Sequence, residues 1–422
     1  MLSQWAWKLL QISRQLWMRT VLFAVLAVLT ALIAIAFKGW IPSELSGAIG
    51  APAVDRILSI LASSMLAVTT FSLSVMVAAY SAATSNITPR ATRLLMEDPT
   101  TQNALATFVG SFVYSLVGII ALHTGVYGDQ GRVILFVVTI AVVVLIVGTI
   151  LLWINHLSSL GRVGETTDRV EQAAEAAIKR RIAHPWLDGR KLASVSNIPE
   201  QATAIYSERI GYVQHIDIKA INRWAEEHEA QVFIASLPGA FVHPGRALAY
   251  YTNHSEETAT AAREVIDRTY TISDERSFDQ DPRFGLIVLA EIASRALSPA
   301  VNDPGTAIDV IGRGVRVISG WEVTPEGEEP KLEDIPCPHV WVQRIELEEL
   351  FNDFFAPIAR DGAGLIEVHI RLQKALAALA CKGDDFAEHA RAHSRRALDL
   401  AKHELPLADD IATLEALVDG IK

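Results

Sequence analysis

Four long hydrophobic runs lie in the N-terminal part of the chain, and no run of comparable length follows them. Each run is close to the ~20 residues that an α-helix needs to cross the ~30 Å hydrocarbon core of a bilayer. None of the runs contains Lys, Arg, Asp or Glu. The pattern therefore predicts four transmembrane helices, at residues 20–37, 57–80, 104–126 and 133–153.

The first run also has features of a secretory signal peptide, because basic residues precede it and Ala-Ile-Ala at 34–36 resembles a cleavage site. However, the run is longer than the apolar core of a usual signal peptide, and three further hydrophobic runs follow it. We therefore interpret the first run as a membrane span.

The loops next to the predicted spans carry unequal positive charge, with seven basic residues on one side and three on the other. The positive-inside rule places the richer side, and with it the N- and C-termini, in the cytoplasm. We therefore expect a multi-pass protein of the bacterial inner (plasma) membrane. The seven basic residues are Lys8, Arg14, Arg19, Arg90, Arg93, Arg162 and Arg169, and the three are Lys38, Arg56 and Arg132.

The sequence after residue 159 alternates between helical and strand-like patterns. Periodicity predicts helices at 166–182 and 221–228 and a strand at 210–218. Residues 231–251 are predicted to form two or three strands, because Pro-Gly turns interrupt them. Later elements are mostly helices, predicted at 256–270, 283–297, 306–319, 366–379 and 387–405, with one more strand at 339–345.

The stretch LPGAFVHPGRALAYY, residues 237–251, resembles the turn-strand-turn of biotinyl- and lipoyl-type barrel-sandwich domains. This resemblance implies a small β-barrel-like module. It does not imply that Lys219 is lipoylated, because a helix-like segment rather than a strand follows that residue.

The predicted fold class is a membrane protein with a four-helix α-helical transmembrane domain and a cytoplasmic α+β domain. In the cytoplasmic domain, the small β-barrel-like module is followed by a helical region. The predicted boundaries are 1–159 for the transmembrane domain, 160–202 for a helical linker, 203–255 for the β-rich module and 256–422 for the mostly helical domain.

The composition agrees with this two-part architecture. Apolar residues make up 50% and charged residues 20% of the 422 positions, and the mean hydropathy is +0.27. Residues 1–159 carry a net charge of +3, whereas the remainder carries −14, as expected for a solvated acidic domain. The overall charge of −11 argues against nucleic acid as a partner. Only Cys337 and Cys381 are present, which excludes a disulfide-stapled scaffold.

Hydroxyl-bearing residues recur along one face of the second predicted span. They are spaced 4, 7, 4, 7 and 4 positions apart. At about 100° per residue they stay within a sector of about 80° and extend for about 40 Å. The opposite side carries Ile60, Phe71 and Val75, and Pro89 is predicted to end the helix. The six residues of this hydroxyl face are Ser59, Ser63, Thr70, Ser74, Ser81 and Ser85.

Two functions fit the hydroxyl face. Small residues let transmembrane helices approach closely, and their hydroxyls bond across the contact, so the face suits helix packing. Uncharged hydroxyls also suit the wall of a water-filled path, which makes the six residues candidates for pore lining. Four spans enclose little space alone, so a pore requires several subunits. The absence of charge within the spans argues against a proton-coupled pump or an ion-coupled transporter.

Polar residues are densest at 276–307, where the steps Asp281-Pro282 and Asp303-Pro304 mark the starts of two helices. Each Asp is able to cap its helix, and Pro suits the first helical position. A divalent cation site is the alternative, although capping explains both aspartates without a ligand. The oxygen donors for that alternative are Asp279, Asp281, Asn302, Asp303 and Asp309. The segment 284–297 is apolar nearly all round and is predicted to be buried.

Three stretches resemble signatures of the bacterial membrane-protein family known as domain of unknown function 2254: SPAVNDPGTA at 298–307, FDQDPRFG at 278–285 and GYVQHID at 211–217. The resemblance covers nearly the whole chain and implies four N-terminal spans with a cytoplasmic C-terminal domain. It implies no established activity. A bulky aromatic residue often follows the Pro of the first stretch in this family, whereas this chain has Gly305. The candidate cytoplasmic polar site comprises Gln280, Asp281, Asn302, Asp303 and Thr306.

Signatures of common enzyme classes are absent from the sequence: GxxxxGK[ST], GxGxxG after a strand, HExxH, CxxC and GxSxG. We therefore expect no catalytic residues, no bound metal and no cofactor.

The sequence favours a homo-oligomeric ion channel or pore, lined by the second span and assembled or gated by the cytoplasmic domain. Its expected partners are the lipid bilayer, further copies of the chain and inorganic ions. The alternative is a membrane-anchored sensor or scaffold that binds a ligand or partner near Asp281, Asn302 and Asp303. A membrane-tethered hydrolase is a third hypothesis, because acidic residues cluster there.

Overall fold

The computed structural model describes residues 51–96, 98–124, 128–158, 160–253, 256–322 and 331–421, together with seven helical positions between 18 and 33. The chain divides into two compact units, one within residues 8–166 and the other within residues 167–422. We call them the N-terminal unit and the C-terminal unit. The first predicted span, residues 20–37, lies outside the described residues apart from isolated helical positions.

The described part of the N-terminal unit is helical: α1 (Ala51–Asn86), α2 (Pro89–Met96), α3 (Pro99–His123) and α4 (Gly128–Leu157). The stretches Pro52–Thr84, Pro99–His123 and Arg132–Leu157 are long and apolar enough to cross a membrane. The second, third and fourth predicted spans are therefore confirmed as candidate membrane helices, whereas a four-helix transmembrane domain is not. As predicted, α1 ends before Pro89, because proline disfavours helix at the preceding residue.

The helix α5 (Val163–Ala183) contains the boundary between the units, and a sheet-containing region follows it. This region comprises β1 (Arg190–Lys191), β2 (Thr203–Tyr206), β3 (Gly211–Ile216), α6 (Ile218–Glu227), β4 (Val232–Ile234), β5 (Phe241–Val242), β6 (Ala247–Tyr251), α7 (Glu256–Thr269) and β7 (Tyr270–Ser273). The strand predicted at 210–218 and the three strands within 231–251 are confirmed.

The strands form two open sheets, and the described strands form no closed barrel. The larger sheet has the order β1-β8-β4-β6-β2, in which β8 (Val340–Val342) runs parallel to both β1 and β4. The smaller sheet has the order β5-β3-β7. The predicted barrel-like module is therefore not confirmed. The physical reason is that β8, from far beyond residues 203–255, pairs along β4, while β1 and β2 remain as separate edges.

The rest of the C-terminal unit is a group of packed helices: α8 (Pro282–Ala296), α9 (Pro304–Ser319), α10 (Leu347–Asp361), α11 (Ile366–Ala380), α12 (Asp384–Glu404) and α13 (Ala408–Asp419). The predicted burial of α8 is confirmed, because Leu286, Val288 and Leu289 are all fully buried. The hydrophobic pattern did not identify α10, whose Phe351, Phe354 and Phe355 are among the largest fully buried side chains.

A close helix crossing joins α9 to α10 at Gly314. A Cβ atom placed on Gly314 would overlap the ring of Phe354, so the crossing accepts only hydrogen at this position. Gly312 lies on the same helix, where a Cβ would meet only the flexible end of Arg371, 3.1 Å away. The two glycines therefore have different packing constraints.

We expect Gly314→Ala to lower the stability of the C-terminal unit by about 1–3 kcal/mol, because it overpacks a buried crossing. The matched change Gly312→Ala should be neutral or stabilising by up to about 1 kcal/mol, since Ala is the better helix former. Chemical denaturation of both variants measures the difference. Equal effects of the two substitutions would contradict the tight crossing.

Two buried histidines titrate abnormally. His369 on α11 is fully buried, and His393 on α12 lies against Phe351 and Phe355, with ring centroids 5.8 and 6.2 Å apart. Burial lowers the pKa of each to about 4, and for His393 the charge of Arg396 adds to the effect. Both imidazoles are therefore neutral in the folded protein near neutral pH.

This depression predicts acid sensitivity. Because the unfolded chain takes up these protons from about pH 6.5 and the folded chain only near pH 4, stability should fall as the pH drops through that window. The loss should reach roughly 3 kcal/mol per histidine. The fall in the denaturation midpoint across this pH window should be about half as large in His393→Phe, where only His369 remains, and the same as in the wild type in the exposed control His403→Gln. An undiminished fall in His393→Phe would assign the sensitivity to other groups.

Candidate functional site

The hydroxyl face of α1 is exposed in the described protomer. Ser59, Ser63, Thr70, Ser74 and Ser81 are all exposed. The helical position of Ser85 is described, but its side chain lies outside the described part of the chain. The sequence prediction of one continuous hydroxyl-bearing helix face therefore corresponds to a real surface on α1.

The opposite face of α1 makes the contacts with the neighbouring helices, but Ile60 and Phe71, which were predicted to lie on it, are exposed. Leu61 and Met65 are buried in one cluster with Phe108 of α3 and Ile146 of α4. Leu58 fits against Gly118 of α3, where a Cβ would lie 3.1 Å from its methyl carbon.

The hydroxyl face and the packed face point in nearly opposite directions around the axis of α1. Ser63 is two positions beyond Leu61, and Ser74 is two positions beyond the buried Ser72. Two positions correspond to about 200° on an α-helix. The described helices of one protomer therefore do not use the hydroxyl face for their own packing.

The hydroxyls on this face are satisfied within α1. Ser63 donates to the carbonyl of Ser59 (3.0 Å), Thr70 to Leu66 (2.9 Å) and Ser74 to Thr70 (3.0 Å). Each hydroxyl donates its hydrogen to the carbonyl four residues earlier in α1, so the outward side of its oxygen presents lone pairs that can accept a hydrogen bond. The face can therefore meet water or a cation with oxygen atoms while carrying no charge.

A buried polar cluster at one end of the N-terminal unit was missed by the sequence analysis. Asp98 is 2% exposed and caps α3, accepting hydrogen bonds from the backbone N–H (2.7 Å) and hydroxyl (2.6 Å) of Thr101. Its carboxylate lies 2.9 Å from Nε2 of His156 on α4. One turn earlier, Trp153 donates to Ser72 of α1 (3.0 Å). The cluster ties the start of α3 to the end of α4, and Trp153 links that end of α4 to the middle of α1.

A sequence signal for this cluster exists. Asp98-Pro99 has the same Asp-Pro pattern as the two steps singled out in the C-terminal part, and all three begin helices. His156 lies just beyond the fourth hydrophobic run. The pattern alone does not reveal that these two residues meet, because 58 positions separate them.

In the C-terminal unit, Asp281 is a buried cap. It is 1% exposed, accepts the backbone N–H of Arg283 (3.2 Å) at the start of α8, and pairs with Nε and Nη2 of Arg276, both at 2.7 Å. Gly239, at φ +92°, lies so close that a Cβ there would overlap the carboxylate. Burial raises the pKa of Asp281, and the guanidinium groups of Arg276, Arg283 and Arg181 oppose that increase.

Gln280 and Arg181 extend this cluster. The side-chain oxygen of Gln280 accepts a hydrogen bond from the backbone N–H of Ile216 (3.1 Å). The backbone carbonyl of Gln280 accepts one from Nη2 of Arg181 (3.1 Å). Arg181 is buried, which lowers its pKa to about 10, and Asp281 partly compensates. These contacts join α5, β3 and the start of α8, so the residues hold the fold together.

The other half of the predicted polar site lies elsewhere. Asp303 is exposed and caps α9, accepting from the N–H (3.1 Å) and hydroxyl (2.6 Å) of Thr306, whose hydrogen bonds lower the pKa of the carboxylate. The adjacent Asn302 is exposed and has a φ of +48°. Asp303 donates its N–H to Ala296 at the far end of α8 (2.8 Å).

The oxygen donors of the cation-site alternative do not all converge in the structure. Because α8 has 15 residues, Asp281 and Asp303 are separated by about 20 Å. Asp309 pairs instead with Arg313 on its own helix (2.6 Å). In the described ranges, no group of three or more His, Cys, Asp or Glu residues is placed to hold a metal ion. The capping interpretation of both Asp-Pro steps is confirmed.

Comparison with known proteins gives a family but no activity. Residues 13–378 match the family model described as Predicted membrane protein (DUF2254). Uncharacterized proteins of Mycobacterium tuberculosis (MT1328 and Rv1290c) and Mycobacterium bovis (Mb1321c) are 26% identical over 270 residues, which is 62% of this chain and 51% of theirs. The chain thus spans about half the length of the curated relatives it matches. No solved structure matches it.

The match with the family model covers nearly the whole chain, including the hydroxyl face of α1 and all three stretches on which the family resemblance rests. The chain belongs to the family Predicted membrane protein (DUF2254).

Proposed function

We propose that this protein is a homo-oligomeric ion channel or pore of the bacterial inner membrane, in which α1 of each subunit lines the path. The observation that carries the proposal is the exposed hydroxyl face of α1, which points away from α3 and α4 and contains no charged residue from Ser59 to Ser85. In a ring of subunits this face would surround a common axis. Its outward oxygen atoms would then replace part of the hydration of a passing ion.

The proposal also assigns a role to the C-terminal unit, which would assemble or gate the pore. In this proposal α5, which begins six residues after α4 ends, would connect the spans to the C-terminal unit. α5 is firmly held there: Glu171 pairs with Arg313 (2.8 Å) and with Arg316 (2.6 Å) of α9, and Asp168 also pairs with Arg313. A Cβ on Gly285 of α8 would overlap Ala174, so α5 also packs tightly on α8.

Sensing near the polar residues is the second proposed function and has weaker support. The Asp281 carboxylate is already engaged by Arg276, and the Asp303 carboxylate by Thr306. A ligand at either position would have to displace these hydrogen bonds. The hydrolase hypothesis has less support than either, because Asp281 and Asp303 lie at opposite ends of α8.

Cysteine accessibility tests the pore. In a variant with Cys337→Ser and Cys381→Ser, cysteines replacing Ser63, Thr70 and Ser74 should react with a membrane-impermeant thiol reagent, because a thiol in a wet path ionises and one in lipid does not. Modification at Thr70→Cys should change ion flux through the protein reconstituted in liposomes. The labelling rate and the flux are the two measurements.

Ile60→Cys and Phe71→Cys are the matched controls, because these residues of α1 are as exposed in the protomer as the serines. They should remain unlabelled if they face lipid. A lack of labelling at all three hydroxyl positions in a flux-competent preparation would refute the path along α1. Oxidative cross-linking between subunits at Ser63→Cys, without flux, would identify the face as a packing surface instead.

Reporter fusions test the proposed orientation. A periplasmic reporter such as alkaline phosphatase should be active when fused after Thr124 and inactive after Leu160, because basic residues flank the spans on the cytoplasmic side. A cytoplasmic reporter fused at the same positions should show the reverse pattern. Phosphatase activity after Leu160 would place the C-terminal unit outside the cytoplasm.

A further inference from the structure

A small cavity opens beside the edge of the five-stranded sheet, away from the clusters described above. Its volume is about 140 Å³. This is close to a cavity of about 150 Å³ that holds a benzene molecule. Its wall includes Trp186, Arg190, Lys191, Leu332, Ile335 and Trp341.

The charged side chains in the wall are all cationic. Arg190 and Lys191 form the edge strand β1, and neither Asp nor Glu contributes to the lining. The guanidinium carbon of Arg190 lies 3.9 Å from the ring centroid of Trp341. Apart from this stacking and its β-strand pairing, Arg190 has no side-chain hydrogen bond or ion pair within the described part of the chain.

Stacking on Trp341 orients the guanidinium of Arg190 and leaves its N–H donors available to a ligand. The contact occupies the flat face of the guanidinium, while the N–H donors lie along its edge and match the geometry of a carboxylate or a phosphate. Trp341 is itself held by Phe233, which stacks on it with a centroid distance of 5.9 Å and an interplanar angle of 18°. The donors are thus fixed in direction before any ligand arrives.

The two tryptophans add a second observation. Trp186 is 7% exposed, and the indole N–H groups of both Trp186 and Trp341 are buried without an acceptor among the described residues. Because these N–H groups have almost no accessible surface, they do not open onto the cavity, and the two indole rings supply it with apolar surface.

The turn that brings these side chains together is tightly constrained. Leu187 and Asp188 have φ values of 54° and 71°, and a Cβ on Gly189 would lie 2.6 Å from the carbonyl oxygen of Val340. This turn places Trp186 and Arg190 on the same cavity.

We propose that this cavity binds a small organic anion. Its carboxylate or phosphate group meets the edge of the Arg190 guanidinium beside Lys191, and a body no larger than one aromatic ring lies against Trp186, Leu332 and Ile335. Such a ligand satisfies the cationic wall, and its size matches the volume.

Calorimetric titration of the full-length chain in nanodiscs tests the proposal, with benzoate, phenyl phosphate, inorganic phosphate and benzyl alcohol as probes. We expect benzoate or phenyl phosphate to bind, inorganic phosphate to bind more weakly because it lacks the ring, and benzyl alcohol not to bind. The tighter of the first two identifies the preferred anionic group.

Variants assign the binding to this cavity. Arg190→Gln should weaken binding about tenfold or more, and Arg190→Lys should weaken it less, because Lys keeps the charge but not the two-pronged geometry. Leu332→Trp should fill the cavity with a larger side chain and prevent binding. Because the Leu332 side chain is 59% exposed, the fold should tolerate this substitution. Arg209→Gln, at an exposed arginine whose ion pair with Asp267 spans 3.9 Å, is the matched control and should bind normally.

The failing outcomes are equally specific. Absence of binding by all probes at millimolar concentration would overturn the proposal. Equal affinity in the wild type, Arg190→Gln and Leu332→Trp would also overturn it, because the anion would then bind elsewhere. If Arg190→Gln lowers the melting temperature, the result for Leu332→Trp decides. These measurements do not depend on ion flux, so they are independent of the proposed pore.

Discussion

The packing of α1 against α3 and α4 determines what the N-terminal unit can present to its surroundings. Leu58, Leu61 and Met65 bury one side of α1, and the close approach at Gly118 leaves little freedom to rotate the helix. With that side occupied, the hydroxyl face lies about 200° away, where neither α3 nor α4 packs. The proposed pore follows from this orientation and not from the hydroxyl groups alone.

Hydrogen bonding within the helix explains how hydroxyl groups are tolerated on the outward face of a membrane helix. Within hydrocarbon an unsatisfied donor is costly, so serine and threonine donate to carbonyls of their own helix. Ser63, Thr70 and Ser74 all do so. The face is therefore stable in the isolated protomer and still available to line a path after assembly.

In the C-terminal unit, buried charge holds elements together. Asp281 connects the start of α8 to Arg276 and to the turn at Gly239, and Arg313 connects α9 to Glu171 of α5. Breaking one partner of such a pair leaves an uncompensated charge, so these residues are poorly suited to exchange ligands. Arg190 differs, because among the described residues its guanidinium stacks on Trp341 and forms no ion pair. The proposed anion site therefore uses a residue that no sequence motif marked.

The sequence by itself determined the local features of this protein. Hydrophobic length identified three described spans, Asp-Pro steps identified the caps of α8 and α9, and periodicity located most helices and strands. Each of these depends on neighbouring residues in the chain. The tertiary structure alone decided which distant residues meet. β8 pairs with β4 in an open sheet, so the expected barrel does not form, and α8 holds Asp281 and Asp303 apart. Such contacts depend on how elements far apart in sequence pack, and local patterns carry no information about that packing.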